Sequence, residues 1–303
     1  MFRARTTEFY AAYEDALNWI HGLGVAINPS SRLSGYKSCF ERFVSAFVKK
    51  DQGFSERDLE RIGAEIINAF YEANEVVVIH RIFKNSDPEH LRIKIQEIVS
   101  GPVTGAAENM AASSNRARNI SFELYAASLF QAAGKKIDFS SMADAQFDAG
   151  RYTYYLECKR PQNEDRVEKN IKTANNQFRR RFSQNPEITN KRGVLALSFS
   201  KIVNPKNQIF QFDTFEDAER FLKPKILKVG AQYSNFIKTK IDRKVVLWAG
   251  FTSIPVIVRD SGMDFSIYKS PMLVNITHRT EVDHDFINEM ELDIKAAYDS
   301  DEF

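Results

Sequence analysis

The stretch ADAQFDAGRYTYYLECKR, residues Ala143 to Arg160, decides the fold. Two strand-like runs, Met142 to Phe147 and Arg151 to Lys159, flank the turn signal Asp148-Ala149-Gly150, and the pattern predicts a hairpin. Side chains alternate faces along a strand, so Glu157 and Lys159 share one face while Leu156 and Cys158 take the other. A carboxylate and an ammonium ending an aromatic strand suit a divalent-metal site with a cation beside it better than a core. The third member depends on turn length. If Ala149-Gly150 is a two-residue turn, Asp148 faces Arg151 and Asp144 lies opposite Tyr155, one diagonal step from Glu157 on its own face. Asp148 shares that face, but at roughly 3.3 Å per residue it lies about 20 Å along from Glu157 and reads as a turn residue.

Outward from this hairpin, the texture is helix interleaved with strand. On the N-terminal side, a helix from Ile120 to Ala133 ends at Gly134, a residue suited to a helix C-terminus. On the C-terminal side follow a basic helix at about Arg166 to Phe182 and a buried-looking strand from Gly193 to Phe199. A helix from Phe215 to Phe236, with an interruption expected near Pro224, strand-rich runs Val245 to Val258 and Phe265 to Thr277, and a helix from Asp283 to Ala297 complete the pattern. The first hundred residues are helical by their spacing. Phe9, Tyr13, Leu17 and Ile20 form one stripe, and Phe40, Phe43, Val44 and Phe47 form another. Ser55 caps a helix carrying Leu59, Ile62, Ile66 and Phe70, and Asp87-Pro88 opens one more. Gly101 to Gly105 and the small residues Ala111 to Ser114 mark a break. These elements predict an α/β fold with a mixed central sheet flanked by helices, preceded by a helical N-terminal domain: residues 1–108 and 109–303.

Asp144 and Glu157-Cys158-Lys159, preceded by a helix holding Glu123, resemble the PD-(D/E)xK nuclease superfamily, the restriction-endonuclease-like fold, over about residues 115–200. That resemblance implies a catalytic set of Asp144, Glu157 and Lys159. Asp144 and Glu157 would hold Mg²⁺, for which Mn²⁺ substitutes, with Glu123 as the first-helix acid supporting the metal, and Lys159 would position or activate the attacking water. Gln177 resembles the glutamine that some branches carry on the helix after the motif. Two departures stand out: Ala143 replaces the proline before the aspartate, and Arg181 stands where a downstream tyrosine is expected.

Charge is unevenly distributed. The chain as a whole carries a formal +2, but Arg151 to Lys201 holds twelve basic and five acidic residues, and Glu281 to the end holds nine acids against Lys295. Lys169, Lys172, Asn176 and Arg180 fall on one side of the basic helix. With Arg160, Gln177 and Arg179 they form the expected nucleic-acid surface, where cations neutralise backbone phosphates. The rival reading is a solvated helix face, with the acidic tail competing for it. The histidines show no metal-ligand spacing, and no GxxxxGK[ST] loop is present. Two cysteines, Cys39 and Cys158, build no disulfide framework. The N-terminus lacks the apolar core of a signal peptide, and no run approaches the roughly 20 apolar residues of a membrane span, so a cytoplasmic location is expected.

The expected function is hydrolysis of nucleic-acid phosphodiesters. The resemblance favours DNA over RNA, endonuclease over exonuclease action, and a setting such as bacterial defence or restriction. Room remains for a homo-oligomer and for a protein partner on the N-terminal helices. The alternative is a catalytically silent nucleic-acid-binding or assembly protein on a nuclease-like scaffold.

Overall fold

The aromatic strand lies inside a seven-stranded mixed sheet. A computed structural model of the chain describes residues 2–3, 6–48, 55–101, 112–141, 143–184, 190–259, 264–276 and 281–299. Strand β2 (Ala145–Ala149) pairs antiparallel with β3 (Tyr152–Lys159), which runs parallel to β4 (Lys191–Ser198). Next to β4 comes the long β6 (Val245–Val258), again parallel, then antiparallel β7 (Asp264–Asn275) and the short β1 (Phe2–Arg3). The short β5 (Phe210–Phe212) pairs with the second half of β6. At the centre, Val194, Leu195, Ala196 and Leu197 of β4 are all fully buried, as a strand covered on both faces requires.

Helices supply the two covers. Tyr154, Leu156 and Cys158 point to the side of α1 (Thr6–Gly22), α3 (Glu56–Phe83), α5 (Ala112–Ala132) and α9 (Glu281–Asp299), all within one apolar cluster. Tyr155, Leu195 and Trp248 point the other way, to α6 (Glu164–Ser183) and α8 (Phe215–Lys240). The α6 helix lies close to the sheet: a Cβ at Gly193 would come 2.9 Å from the Phe178 ring and from Val245, so only glycine fits there. The N-terminal stripe behaves as its spacing demands, with Phe9, Tyr13 and Ile20 fully buried. Two further helices, α2 (Arg32–Phe43) and α4 (Pro88–Ile98), are capped by Ser31 and Asp87, whose side chains accept from the N–H groups of Ser34 and Glu89. A short α7 (Ser200–Val203) follows β4.

Several expectations change. The turn holds Gly150-Arg151, since Ala149 pairs with Tyr152, and Gly150 takes φ +56°, as the first position of a tight hairpin turn requires. The register therefore moves by two residues, which keeps every face and, continued one step beyond Ala145, sets Asp144 opposite Glu157. Ala112 to Ser114, expected in a break, form the first turn of α5, consistent with the high helix propensity of alanine. Helix α8 runs unbroken through Pro224, with buried Leu222 and Ile226 on either side holding it to the sheet. The second N-terminal helix starts at Arg32, earlier than its apolar stripe, and passes into a π-helical turn at Val44–Val48. Strands β1 and β5 have no signal in the periodicity. The boundary at residue 108, Met142, Thr277 and the end of the acidic tail lie outside the described residues.

The tail also behaves differently. Within α9, Asp283 pairs with Arg192 at 2.7 Å, while Glu289 and Asp293 lie 2.8 and 3.5 Å from Lys135. These acids engage the segment just after α5 and the start of β4, not the exposed side of α6. No helix among the described residues is long and apolar enough to cross a membrane.

Candidate active site

Four charged side chains meet where β2 and β3 end on the α6 side. The Asp144 side chain bends back so that its Oδ2 accepts a 2.6 Å hydrogen bond from the Cys158 backbone N–H. Lys159 donates to the Cys158 carbonyl at 2.8 Å, which holds its Nζ 3.6 Å from Glu157 Oε2 and 3.9 Å from Asp144 Oδ2. From α6, Arg181 brings its Nε to 3.4 Å from Glu157 Oε1.

Glu157 is wholly buried, and among the described residues neither of its carboxylate oxygens has a hydrogen-bond partner. Burial raises its pKa, the nearby Asp144 charge raises it further, and the cations Lys159 and Arg181 only partly offset this, leaving it at about 7. Buried carboxylates are normally hydrogen-bonded, so an exception calls for an explanation such as a catalytic role or a bound ion.

Glu123 reaches the same place from α5. Lys94 of α4 holds it at 2.8 Å, and burial followed by the Asp144 charge raises its pKa. The acid that the resemblance assigns to the first helix is thus tied to a cation from the N-terminal helices, with the Asp144 charge acting on it. Gln177, one turn before Arg181 on α6, has a buried Oε1 without a hydrogen-bond partner. Among the described residues no three His, Cys, Asp or Glu side chains form a cluster able to hold a metal ion. What the chain presents is two hard carboxylates, Asp144 and Glu157, with two cations, and that oxygen donor set fits Mg²⁺.

The expected basic surface is divided. Lys169, Lys172, Arg179 and Arg180 are exposed on α6. Lys172 lies 3.9 Å from Glu168, and Arg179 lies 3.9 Å from Asp242. Arg160 sits one residue past Lys159, with its charge acting on Tyr71, Glu72 and Glu75 of α3. Lys191 donates to the carbonyls of Phe182 and Gln184 at the end of α6, and Arg192 holds Asp283, so both serve the fold. A separate cavity of about 800 Å³ runs along the outer edge of β2, lined by Asn85, His90, Lys136, Phe139, Gln146 and Asp148. Asp144, Glu157 and Lys159 do not line it.

Two site residues, Arg181 and Lys94, lie outside the set that sequence reasoning assembles. For Arg181 a signal exists: Val167, Ile171, Ala174 and Phe178 are the buried stripe of α6, and Arg181 is its next position. Lys94 gives none, because its pairing with Glu123 spans 29 residues. Compared with protein-family models, with curated proteins and with solved structures, the chain matches none, and its function is read from this geometry.

Proposed function

We propose that the chain is a metal-dependent, cytoplasmic nuclease of the restriction-endonuclease-like kind, cutting phosphodiester bonds within DNA. The observation that carries this reading is Glu157, a fully buried carboxylate without a hydrogen bond, placed across from Asp144 and beside Lys159. Asp144 and Glu157 would hold Mg²⁺ or Mn²⁺, with Glu123 behind Asp144. Such an ion, when bound, polarises a phosphate oxygen and lowers the pKa of a water molecule. The remaining work falls to the chain itself. The Cys158 N–H fixes the Asp144 carboxylate. Lys159, anchored on the Cys158 carbonyl, presents positive charge where negative charge develops on the phosphate. Arg179, Arg180 and Lys172 on α6 attract the nucleic-acid backbone. Restriction of foreign DNA is the setting that suits such an activity.

Incubation with plasmid and linear DNA in Mg²⁺, Mn²⁺ or EDTA tests this. Cleavage is expected with either metal and not in EDTA, and Glu157→Gln or Asp144→Asn should abolish it while leaving DNA binding largely intact. Unchanged cleavage by both pure variants would remove the reading. A second reading is favoured by the cations already seated on Glu157: a catalytically silent nucleic-acid-binding scaffold. Metal-independent DNA binding with no cleavage under any of these conditions would select it.

A further inference from the structure

Arg181 interrupts the apolar stripe of α6 with a guanidinium that is 6% exposed, seated on a carboxylate that is 0% exposed. Its Nε lies 3.4 Å from Glu157 Oε1, and Glu157 receives no hydrogen bond. An arginine placed for stability alone would close a short bidentate pair, as the Arg116 fork does on Glu97 at 2.6 and 2.8 Å. Arg181 supplies charge without locking the carboxylate.

The charge balance shows what this does. Asp144, Glu157 and Glu123 against Lys159, Arg181 and Lys94 are three negative and three positive groups, which cancel before any metal arrives. A divalent ion then leaves the site doubly positive, complementary to a phosphodiester whose negative charge grows during cleavage. Without Arg181 the site would begin negative. It would draw metal more strongly, yet confront the phosphate with less positive charge.

We infer that Arg181 is a positioning residue that opposes metal loading on Glu157 in the absence of substrate and so couples the metal to the anionic nucleic acid; this rests on the nuclease reading above. Coupling between two ligands is reciprocal, so by whatever factor bound metal raises affinity for the phosphodiester, bound phosphodiester raises affinity for the metal. The divalent ion feels the guanidinium field twice as strongly as a competing proton does. The metal effect therefore outweighs any change in protonation of Glu157 when the charge is removed.

The test is direct Mn²⁺ binding to the full chain without nucleic acid at pH 8, followed by DNA turnover at saturating metal. Arg181→Met keeps the stem in the apolar stripe and removes the charge. It should tighten Mn²⁺ binding on the order of tenfold and lower turnover about a hundredfold. Arg181→Lys keeps the charge and should hold Mn²⁺ affinity within roughly twofold of the unsubstituted chain. A purely structural tie predicts the opposite sign, since releasing Glu157 would loosen the metal. Mn²⁺ binding that is unchanged or weaker in Arg181→Met overturns the inference, as does a loss of Mn²⁺ affinity in a folded Arg181→Lys if Arg181→Met does not fold. If the unsubstituted chain shows no Mn²⁺ binding that Glu157→Gln removes, the nuclease reading falls first and the inference with it.

Discussion

Glu72 and Glu157 are both buried carboxylates beside cations, and they are built in opposite ways. Glu72 of α3 is gripped: Arg118 Nε donates to both of its oxygens at 2.8 Å, Tyr36 donates at 3.2 Å, and Arg32 stands 3.5 Å away. Burial works to raise the Glu72 pKa, but Arg118, then Arg32 and Arg160, outweigh it and hold it below the usual range. Glu157 has cations nearby, yet none of them hydrogen-bonds to it, and its pKa goes up to about 7. One carboxylate is finished by the fold. The other receives no hydrogen bond from the described residues. Burial and charge composition alone would not separate them; distance and hydrogen bonding do.

The largest effect should come from the gripped cluster. Removing one partner of a buried ion pair leaves an uncompensated charge, so Arg118→Met should cost about 3–5 kcal/mol in urea unfolding. A loss under about 1 kcal/mol would erase the contrast with Glu157.

Glu157 should respond in the other direction. Its folded pKa of about 7 lies above the ordinary glutamate value, so the folded chain binds this proton more tightly than the unfolded chain does. The stability it confers is present in full below about pH 4.5 and lost as pH rises to about 7, a change of up to about 3 kcal/mol in EDTA. Glu157→Gln should lack that slope and be at least as stable as the unsubstituted chain at pH 8. Marked destabilisation of this variant at pH 8 would place Glu157 in the same class as Glu72.

Much of the site is legible in the sequence because period-2 alternation is local. Counting alone places Glu157 and Lys159 on one face, and a two-residue error in the turn cannot move Asp144 off that face. The error itself arises because Gly150 fits either central position of a two-residue turn, and only the pairing of Ala149 with Tyr152 decides. Arg181 is visible as a charge in an apolar stripe, where the resemblance marks only a missing tyrosine. Lys94–Glu123, Arg118–Glu72 and Arg192–Asp283 join residues 29, 46 and 91 apart, and no local pattern announces such pairs. Arg160 directly follows Lys159, yet the acids on which its charge acts belong to α3.

The smallest effect per residue belongs to the surface of α6, where the contrast extends from buried to solvated charge. Lys172, Arg179 and Arg180 are exposed, and the partners Glu168 and Asp242 are 3.9 Å away, a class of ion pair that contributes little. Replacing all three by alanine should change folding stability by less than about 0.5 kcal/mol each. Its consequence should appear in DNA binding measured in EDTA, where cleavage cannot interfere. Removing one cation that neutralises a phosphate flattens the dependence of log affinity on log salt by about 0.9 for duplex and about 0.7 for single strands. The weakening should be equal across sequences, because phosphates carry no base information. Arg181 is left out of this set because it pairs with Glu157, and Arg160 because its charge acts on the acids of α3. A salt slope unchanged in the triple variant would move the nucleic acid to another surface, with the β2-edge cavity at Lys136 and Phe139 the next place to look.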